Sequence, residues 1–442
     1  MKNLPEPFLK RMKTLFSEKE FSAFTDAIHQ DFFASIRYNP KKETAVFGDS
    51  EQVAWNEYGR ILKENRRFIT DPLWHAGAYY VQEPSSMILR NVFHQIYQNQ
   101  SPKRALDLCA APGGKSTLLQ GLLDESAVLI ANEVIKPRAM ILKENHIRSG
   151  ISENLLITQN DPSDFTNLRE FFDYIQMDAP CSGEGMFRKD IVAINEWSET
   201  NCQYCSERQK RILSNVLPAL CNEGILVYST CTFNPDENEK LMNWAVQNFG
   251  LESLPLQFDS EWGIQEVQAG EAWGYYFYPH KVKGEGLFLS VLRKKSGFGL
   301  QNLHAPEKSK PFFIPDLIKN DYFHENNGKI FLKTPTVKAV KNAVKEKLKI
   351  IYTGIEAGEM KGKDFIPSEA LALFHNKLHT FPEVELNLQQ ALHFLRGNDP
   401  ELDLNKKGFY LMTYGGFGLG WIKFLGNRSN NYYPKPWRIR NY

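Results

Sequence analysis

The middle of the chain, residues 76–296, alternates short apolar segments with longer segments of helical periodicity. The apolar segments are RALDLCA, AVLIANE, NLLITQND, YIQMDAP and GILVYST, with a late pair near GLFLSVLRKK. Strands that alternate with helices in this way pair side by side as a parallel sheet, and the helices cover its faces. The sequence therefore predicts an α/β domain over residues 76–296.

The regions on either side have a different composition. Residues 1–75 predict two helices, LPEPFLKRMKTLF and EKEFSAFTDAIHQ, and then a short mixed stretch. Beyond Lys295, the Gly-, Pro-, Ser- and Lys-rich segment SGFGLQNLHAPEKSKPFF predicts a linker. We assign residues 297–385 to this linker and an intermediate module with short strands at KIFL and KLKIIYTGI. Residues 386–442, rich in glycine and aromatic residues, predict a small β module.

Charge is distributed unevenly along the chain. Residues 297–442 carry 21 basic and 14 acidic side chains, whereas residues 76–296 carry 20 and 27. A basic module suits a polyanion such as nucleic acid, but a lysine-rich solvated face explains it equally well. No segment has the apolar length of a membrane span, and the start, MKNLPEPFLKRM, lacks the apolar centre of a signal peptide. We expect a cytoplasmic, monomeric protein without membrane contact.

The residues at the ends of the predicted strands indicate a cofactor site, because the carboxyl ends of parallel strands border one crevice. The first strand runs into the loop Asp107–Ser116, whose small residues let backbone N–H groups approach a ligand, and the next three strands end at Glu133, Asp161 and Asp178. Any one of these acids alone would more often cap a helix or lie in a turn. A P-loop would need glycine at Cys109, and no G-x-G-x-x-G is present. The array predicts an adenosine-containing cofactor without phosphates.

Two cysteines follow the fourth and fifth strands. MDAPCSGEGMFRKD places Cys181 just after Asp178, and YSTCTFNPDENE places Cys231 after the next strand. Carbon 5 of cytosine becomes nucleophilic only after covalent addition to carbon 6, which a thiolate performs well. A hydrogen-bonding acid at the ring N3, for which Asp178 is a candidate, and a second group for later proton removal complete the chemistry. Each cysteine taken alone would more often be a buried apolar residue. Together with the acids they predict methylation of cytosine C5.

These two blocks and DLCAAPGGKS resemble the Nop/Sun family of RNA 5-methylcytosine methyltransferases, and WHAGAYYVQEPSSM with the tail YPKPWRIR is similar to its RsmF branch. The resemblance implies a Rossmann-like class I S-adenosylmethionine methyltransferase core. It also implies a helical or mixed N-terminal segment and a smaller α+β, PUA-like C-terminal region that binds RNA. The implied partner is 16S ribosomal RNA or the assembling 30S subunit. A transfer RNA cytosine-C5 methyltransferase, a catalytically silent assembly factor, and a methyltransferase acting on an amine or a protein remain alternatives.

The resemblance also implies roles for single residues. Cys231 attacks carbon 6, Cys181 assists the breakdown of the adduct, and Asp178 contacts N3 close to the cofactor. The family often has aspartate where this chain has Glu133. The residues expected to hold S-adenosylmethionine are Cys109, Ala110, Ala111, Pro112, Gly113, Gly114, Lys115, Glu133, Asp161 and Asp178.

Two further signals from the sequence have less specific interpretations. Arg188 and Lys189 follow the Cys181 loop and are candidate RNA contacts, although a solvated surface pair is equally compatible with the sequence. The pair Cys202-x-x-Cys205 lies in a helical pattern without a second pair at metal spacing, so we expect a structural role and no metal.

Overall fold

The computed structural model describes most of the chain. The described residues are 2–98, 100–295, 323–326 (backbone only), 328–362, 364–376 and 380–440. The predicted linker at 296–313 lies outside them. Among the described residues, no helix combines the length and the hydrophobicity that a bilayer crossing requires.

The N-terminal region confirms the two predicted helices and adds a small sheet. A capping box begins the second helix: the Ser17 hydroxyl accepts from the Glu20 backbone, and the Glu20 carboxylate accepts from the Ser17 N–H. The elements are α1 (Glu6–Leu15), α2 (Glu18–His29), β1 (Ser35–Tyr38), β2 (Glu51–Val53), β3 (Asn56–Ile61), α3 (Pro72–His75) and β4 (Tyr79–Val81). The sheet has the antiparallel order β2-β3-β1-β4. It therefore includes residues beyond the expected boundary at residue 75.

The central region contains all five predicted parallel strands. Its elements are α4 (Leu89–Tyr97), β5 (Arg104–Asp107), α5 (Gly114–Leu122), β6 (Val128–Asn132), α6 (Lys136–Ser149), β7 (Leu155–Thr158), β8 (Phe172–Asp178), α7 (Ile191–Glu196), α8 (Glu199–Val216), β9 (Leu220–Thr230), α9 (Glu239–Phe249), β10 (Leu251–Ser253), β11 (Gln265–Ala269), β12 (Ala272–Phe277) and β13 (Leu287–Lys294). The parallel order is β9-β8-β5-β6-β7, and β13, β12 and β11 continue it antiparallel beyond β9. This is the expected Rossmann-like sheet with an antiparallel edge.

The C-terminal region is α+β, as expected. Its elements are β14 (Phe323–Asn326), β15 (Lys329–Leu332), α10 (Pro335–Val344), β16 (Ile350–Thr353), β17 (Ile355–Lys361), β18 (Asp364–Pro367), α11 (Glu369–Ala372), β19 (Glu383–Glu385), α12 (Leu388–Leu395), β20 (Gly408–Tyr414), β21 (Phe417–Phe424) and β22 (Ser429–Asn431). Two four-stranded sheets form, β14-β15-β17-β18 and β19-β20-β21-β22. Strand β16 instead pairs with β7 at the edge of the central sheet, so the C-terminal region is joined to the central domain by backbone hydrogen bonds.

Both faces of the central sheet are buried. Along β6, Ile130 faces the core formed with α1, α2, α8, α9 and α10, whereas Leu129 faces the core formed with α4, α5 and α6. Burial on both faces explains why these strands are apolar throughout instead of alternating. The helices α1 and α2 reach the loops at the carboxyl edge: Phe8 packs edge-on against Phe187, and Phe24 against Phe233. The N-terminal region thus supports the loops that carry the candidate site.

Candidate active site

Strand order brings four loops of the expected site together. Strand β8 lies between β5 and β9, with Asp107 opposite Gln176 and Asp178 opposite Ser229. The loops after these three strands and the end of β6 lie at the same carboxyl edge of the parallel sheet. The carboxyl edge therefore gathers Asp178 and both candidate cysteines next to the glycine-rich loop.

Asp178 is the point where the cofactor loop and the cysteine loops meet. Its Oδ2 lies 2.8 Å from Lys115 Nζ, and its Oδ1 accepts from the Ser229 hydroxyl at 2.8 Å. Burial lowers the pKa of Lys115, but the charge and hydrogen bond of Asp178 outweigh burial and raise it. Lys115 is therefore a cation at neutral pH, and it fixes the Asp178 carboxylate from the cofactor side. The sequence placed Lys115 in the cofactor loop but did not indicate this pairing.

The two candidate cysteines are in contact. Cys181 Sγ and Cys231 Sγ are 3.3 Å apart, and both side chains are half-buried. This separation is longer than a disulfide bond and corresponds to a thiol hydrogen bond. The hydrogen bond with Cys231, together with burial, raises the pKa of Cys181 well above its usual value. Cys181 therefore keeps its proton at neutral pH.

Glu237 connects the two cysteine loops and was not singled out by sequence reasoning. It is fully buried, and its carboxylate accepts from the Ser182 N–H at 3.0 Å, Gln209 Nε2 at 3.0 Å and Asn234 Nδ2 at 3.3 Å. Ser182 follows Cys181, and Asn234 belongs to the Cys231 loop. One carboxylate thus sets the distance between the two thiols. The only signal in the sequence was an acid within the block NPDENE.

Replacing Glu237 by glutamine should weaken both stability and catalysis. The amide nitrogen would face one of the donors, which leaves a buried polar group unpaired at a cost of about 1–3 kcal/mol. A small shift of either thiol should lower turnover on the order of 10²-fold. Urea unfolding and single-turnover rates measure the two effects.

The matched control is Glu239→Gln. Glu239 is also buried and accepts from the Tyr276 hydroxyl at 2.6 Å, but among the described residues its carboxylate accepts no hydrogen bond from either cysteine loop. We expect this variant to lose stability without a comparable loss of turnover. Full turnover by a folded Glu237→Gln protein would contradict the positioning role.

A second buried acid joins the N-terminal helices to the same loops. Glu184 accepts from the Arg11 guanidinium, from Trp197 Nε1 at 2.9 Å and from the Phe233 N–H at 3.0 Å. Next to it, the Gly185 N–H donates to the Cys231 carbonyl at 2.8 Å, and a Cβ at Gly185 would meet that oxygen at 3.0 Å. The close approach favours glycine here, and the Cys231 backbone is held from the Cys181 side.

The predicted cofactor loop is fixed from outside by its neighbours. Asn132 Nδ2 donates to the Leu108 carbonyl at 3.1 Å, Arg138 to the Ala111 carbonyl at 2.9 Å and Asn145 to the Pro112 carbonyl at 2.7 Å. Gly113 has φ +122°, a conformation that favours glycine, and α5 begins at the next residue. The loop backbone is therefore held in place before any ligand binds.

The loop also contains two buried groups with raised pKa values. Burial raises the pKa of Cys109, so this residue remains a neutral thiol. Burial and the nearby Asp178 raise the pKa of Asp107 to about 7. Within the described part of the chain, Asp107 Oδ1 has no hydrogen-bond partner. A buried acceptor of this kind beside a ligand loop suits a bound donor.

The other two strand-end acids differ from each other. Glu133 is buried at the end of β6, where its Oε1 accepts from the Ile135 N–H at 2.9 Å. Asp161 caps a short 3-10 helix through the Ser163 N–H at 3.0 Å and lies 3.6 Å from Arg211. Asp161 is thus a helix cap, which is the common role of a single acid at such a position. Its role in cofactor binding stays a prediction.

The basic pair that follows the Cys181 loop is engaged with protein groups. Arg188 donates to the carbonyls of Gln30, Asp31 and Gly284, and Lys189 forms an ion pair with Glu285. Both line a cleft of about 610 Å³ between the N-terminal and central regions. Arg188 thereby joins the residues that follow α2 to the central region, whereas the Lys189 ion pair lies within the central region. The role of both residues in RNA binding stays a prediction.

Cys202 and Cys205 lie buried on α8, and burial raises the pKa of both thiols. In the part of the chain that the structure describes, His, Cys, Asp and Glu form no group of three or more that could hold a metal ion.

Three family descriptions match successive parts of the chain. They are the N-terminal domain of 16S rRNA methyltransferase RsmF at residues 4–84, 16S rRNA methyltransferase RsmB/F at residues 94–293, and the methyltransferase RsmF PUA domain at residues 381–439. The C-terminal β19–β22 sheet with α12 is thus the expected PUA-like region.

Known proteins agree with these matches over most of the chain. The ribosomal RNA small subunit methyltransferase F of Shewanella oneidensis is 32% identical, over 81% of this chain and 78% of its own length. A solved methyltransferase homologue from Pyrococcus horikoshii is 25% identical and matches 66% of this chain and 100% of its own, with a TM-score of 0.53. NSun6 from the same organism, solved with SFG, is 18% identical over 66% of this chain and 99% of its own, with a TM-score of 0.55, and shares the fold. The chain belongs to the RsmF family of ribosomal RNA small subunit methyltransferases.

Proposed function

We propose that this protein transfers a methyl group from S-adenosylmethionine to carbon 5 of a cytosine in RNA, with 16S ribosomal RNA as the substrate. The observation that carries the proposal is the contact between two thiols, 3.3 Å apart, beside the Asp178–Lys115 pair at neighbouring strand ends. The names of the relatives favour ribosomal over transfer RNA. Such a substrate places the enzyme in the cytoplasm, where ribosomal subunits assemble.

The residues of the crevice fit S-adenosylmethionine. When bound, this cofactor supplies an electrophilic methyl carbon on a positively charged sulfur. The buried Glu133 suits ribose hydroxyls, and Asp107 Oδ1 offers an unpartnered acceptor beside the loop. Lys115, the only basic residue of the loop 109–115, is paired with Asp178 and leaves no cradle for phosphates.

Cys231 begins the proposed reaction. Its thiolate adds to carbon 6 of cytosine, the S–C6 bond forms, and the electrons of the C5–C6 double bond make carbon 5 nucleophilic. Asp178, held by Lys115 and Ser229, acts here in its protonated form: it donates its proton to the ring N3 as the adduct forms and takes it back when the adduct breaks down. Carbon 5 then accepts the methyl group.

Cys181 assists the end of the reaction. Carbon 5 loses its own proton to a solvent water, and the electrons of that C–H bond restore the C5–C6 double bond while the S–C6 bond breaks. Cys231 leaves as a thiolate. Because Cys181 retains its proton and lies 3.3 Å from Cys231, it can hydrogen-bond to the departing sulfur and stabilise its charge.

A silent assembly factor is disfavoured by the site itself. Cys181, Cys231 and Asp178 are all present, and buried hydrogen bonds of Glu237 and Glu184 hold their loops. A non-catalytic protein has no need for two half-buried thiols in contact.

The expected product is 5-methylcytidine. Incubation with isotope-labelled methyl donor and either naked 16S ribosomal RNA, 30S subunits or transfer RNA, followed by digestion and mass spectrometry of the nucleosides, identifies the atom methylated and the substrate. Bisulfite mapping of ribosomal RNA from cells with and without the protein gives the position. A methylated amine, a labelled protein, or 5-methylcytidine formed only in transfer RNA would contradict the proposal.

A further inference from the structure

A second cavity lies between the N-terminal sheet and the central domain, on the flank of α5. Its lining contains two arginines, Arg37 from β1 and Arg148 from α6, and no acidic residue. The remaining lining residues are polar, aromatic or small: Asn39, Pro40, Trp74, Gly77, Tyr79, Tyr80, Thr117, Asn145, Ser149 and Ile151. The two charged side chains of the described lining are therefore both cations.

Arg37 is a buried cation that forms no ion pair with any residue in the described part of the chain. Only 7% of its surface is exposed, Nη2 donates to the Thr117 hydroxyl at 2.8 Å, and Nη1 has no hydrogen-bond partner in the described structure. Its guanidinium carbon lies 6.0 Å from the centre of the Tyr80 ring. Burial lowers the pKa of Arg37 to about 9, so the side chain remains charged at neutral pH. An unpaired buried charge is costly, and an anion at Nη1 would offset that cost.

Arg148 adds a second donor to the same cavity. Its Nη1 donates to Asn145 Oδ1 at 2.9 Å, and its Nε has no partner in the described structure. The guanidinium carbon lies 4.3 Å from the centre of the Trp74 ring and 5.1 Å from that of Trp437, which fixes its plane. Burial lowers the pKa of Arg148, and the negative charges of Glu144 and Glu369, which do not line the cavity, act in the opposite direction. Arg37 and Arg148 thus leave one free N–H position each, and both belong to planar groups that suit an oxyanion.

The size of the cavity restricts its occupant. Its volume is about 30 Å³, which suits a single tetrahedral oxyanion or a few waters and excludes a nucleobase. The cavity is separate from the cysteine crevice but adjoins the cofactor loop, because Asn145 also donates to the Pro112 carbonyl.

We propose that this cavity is a binding site for one phosphate group, held by Arg37 and Arg148, and that in the working enzyme the group is a phosphodiester of the RNA substrate. The identification with RNA rests on the proposed function, whereas the phosphate site does not. An RNA strand bound across the N-terminal and central regions would be fixed at this point independently of its base sequence.

The first experiment uses inorganic phosphate and the full-length protein without RNA. Phosphate at millimolar concentration should raise the thermal midpoint of the wild type above that in chloride of equal ionic strength, and calorimetry should detect one site. Arg37→Met should remove the phosphate-specific shift. The control Arg293→Met loses the same charge from an exposed ion pair with Glu252 and should keep the shift. No shift in the wild type, or an equal shift in Arg37→Met, would overturn the site. Arg37→Lys, which keeps the charge, replaces Arg37→Met if the latter does not fold, and it should weaken the shift.

The second experiment identifies the source of the phosphate. The logarithm of the RNA association constant falls linearly with the logarithm of the salt concentration. The steepness of this line should decrease by about 1 in Arg37→Met and stay unchanged in Arg293→Met. Inorganic phosphate should compete with RNA for the wild type at constant ionic strength. A phosphate-specific thermal shift with an unchanged RNA slope would assign the site to free phosphate and overturn the RNA part. Formation of 5-methylcytidine by the wild type is scored separately, so failure of the phosphate site and failure of the proposed function are distinguishable.

Discussion

Replacing Cys231 by alanine should abolish methyl transfer and the covalent protein–RNA complex together. Without a nucleophile at carbon 6, carbon 5 of cytosine keeps its low reactivity, and binding a methyl donor nearby does not change that. We expect turnover to fall on the order of 10⁴-fold or more, because the variant loses the covalent step itself. RNA and cofactor affinities should change little, since the loop backbone is held through the Gly185 N–H and not through the thiol.

Single-turnover transfer of a radiolabelled methyl group measures the rate, and denaturing gel electrophoresis with labelled RNA detects the adduct. Cys221→Ala is the matched control. Cys221 is also a free cysteine, but it is buried, and its thiol donates to the Glu170 carbonyl at 2.8 Å, at the opposite end of β9 from Cys231. That variant should retain activity. Full turnover by Cys231→Ala would show that the reaction does not proceed through this sulfur.

Replacing Cys181 by alanine should produce the opposite result in denaturing gel electrophoresis, namely a protein–RNA complex that persists in denaturant. Addition of Cys231 to carbon 6 does not require the second thiol, so the adduct should form. Its breakdown should slow, because the departing Cys231 thiolate loses the hydrogen bond of a protonated neighbour at 3.3 Å. A charge-assisted hydrogen bond is worth about 1.5–3 kcal/mol, which corresponds to roughly 10- to 150-fold in the rate of release.

Three variants separate this effect from a general disturbance of the site. Cys181→Ser retains a hydroxyl donor and should accumulate less adduct than Cys181→Ala. The double variant Cys181→Ala with Cys231→Ala should form none. Cys205→Ala, a buried thiol on α8, should behave as the wild type. If Cys181→Ala released its product at the wild-type rate without a trapped complex, Cys181 would have no part in the breakdown of the adduct.

The local pattern of the chain was sufficient to predict the layers of the fold. A strand buried on both faces is apolar at every position, as in VLIAN of β6, and amphipathic helices alternate with such strands, so the five parallel strands could be located. Because the carboxyl ends of parallel strands border one crevice, the sequence was sufficient to predict that Asp178, Cys181 and Cys231 lie near each other. The edge strands β10 and β11 were not predicted, because β10 has only three residues and β11 has exposed alternate residues, which leaves a weak pattern.

Contacts between residues distant in the chain were decided only by the tertiary structure. Lys115 and Asp178 are 63 positions apart, and Ser182 and Glu237 are 55 apart; strand order and loop packing make them neighbours, and no local periodicity encodes those partners. The same holds for β16, which joins the central sheet from the C-terminal region, and for Arg188, whose donors reach carbonyls of the N-terminal region. The sequence by itself determined which chemical groups are available and at which edge of the sheet they stand. Only the three-dimensional packing decided which of them are paired, because hydrogen bonds and ion pairs depend on distances of a few ångströms between elements far apart in the chain.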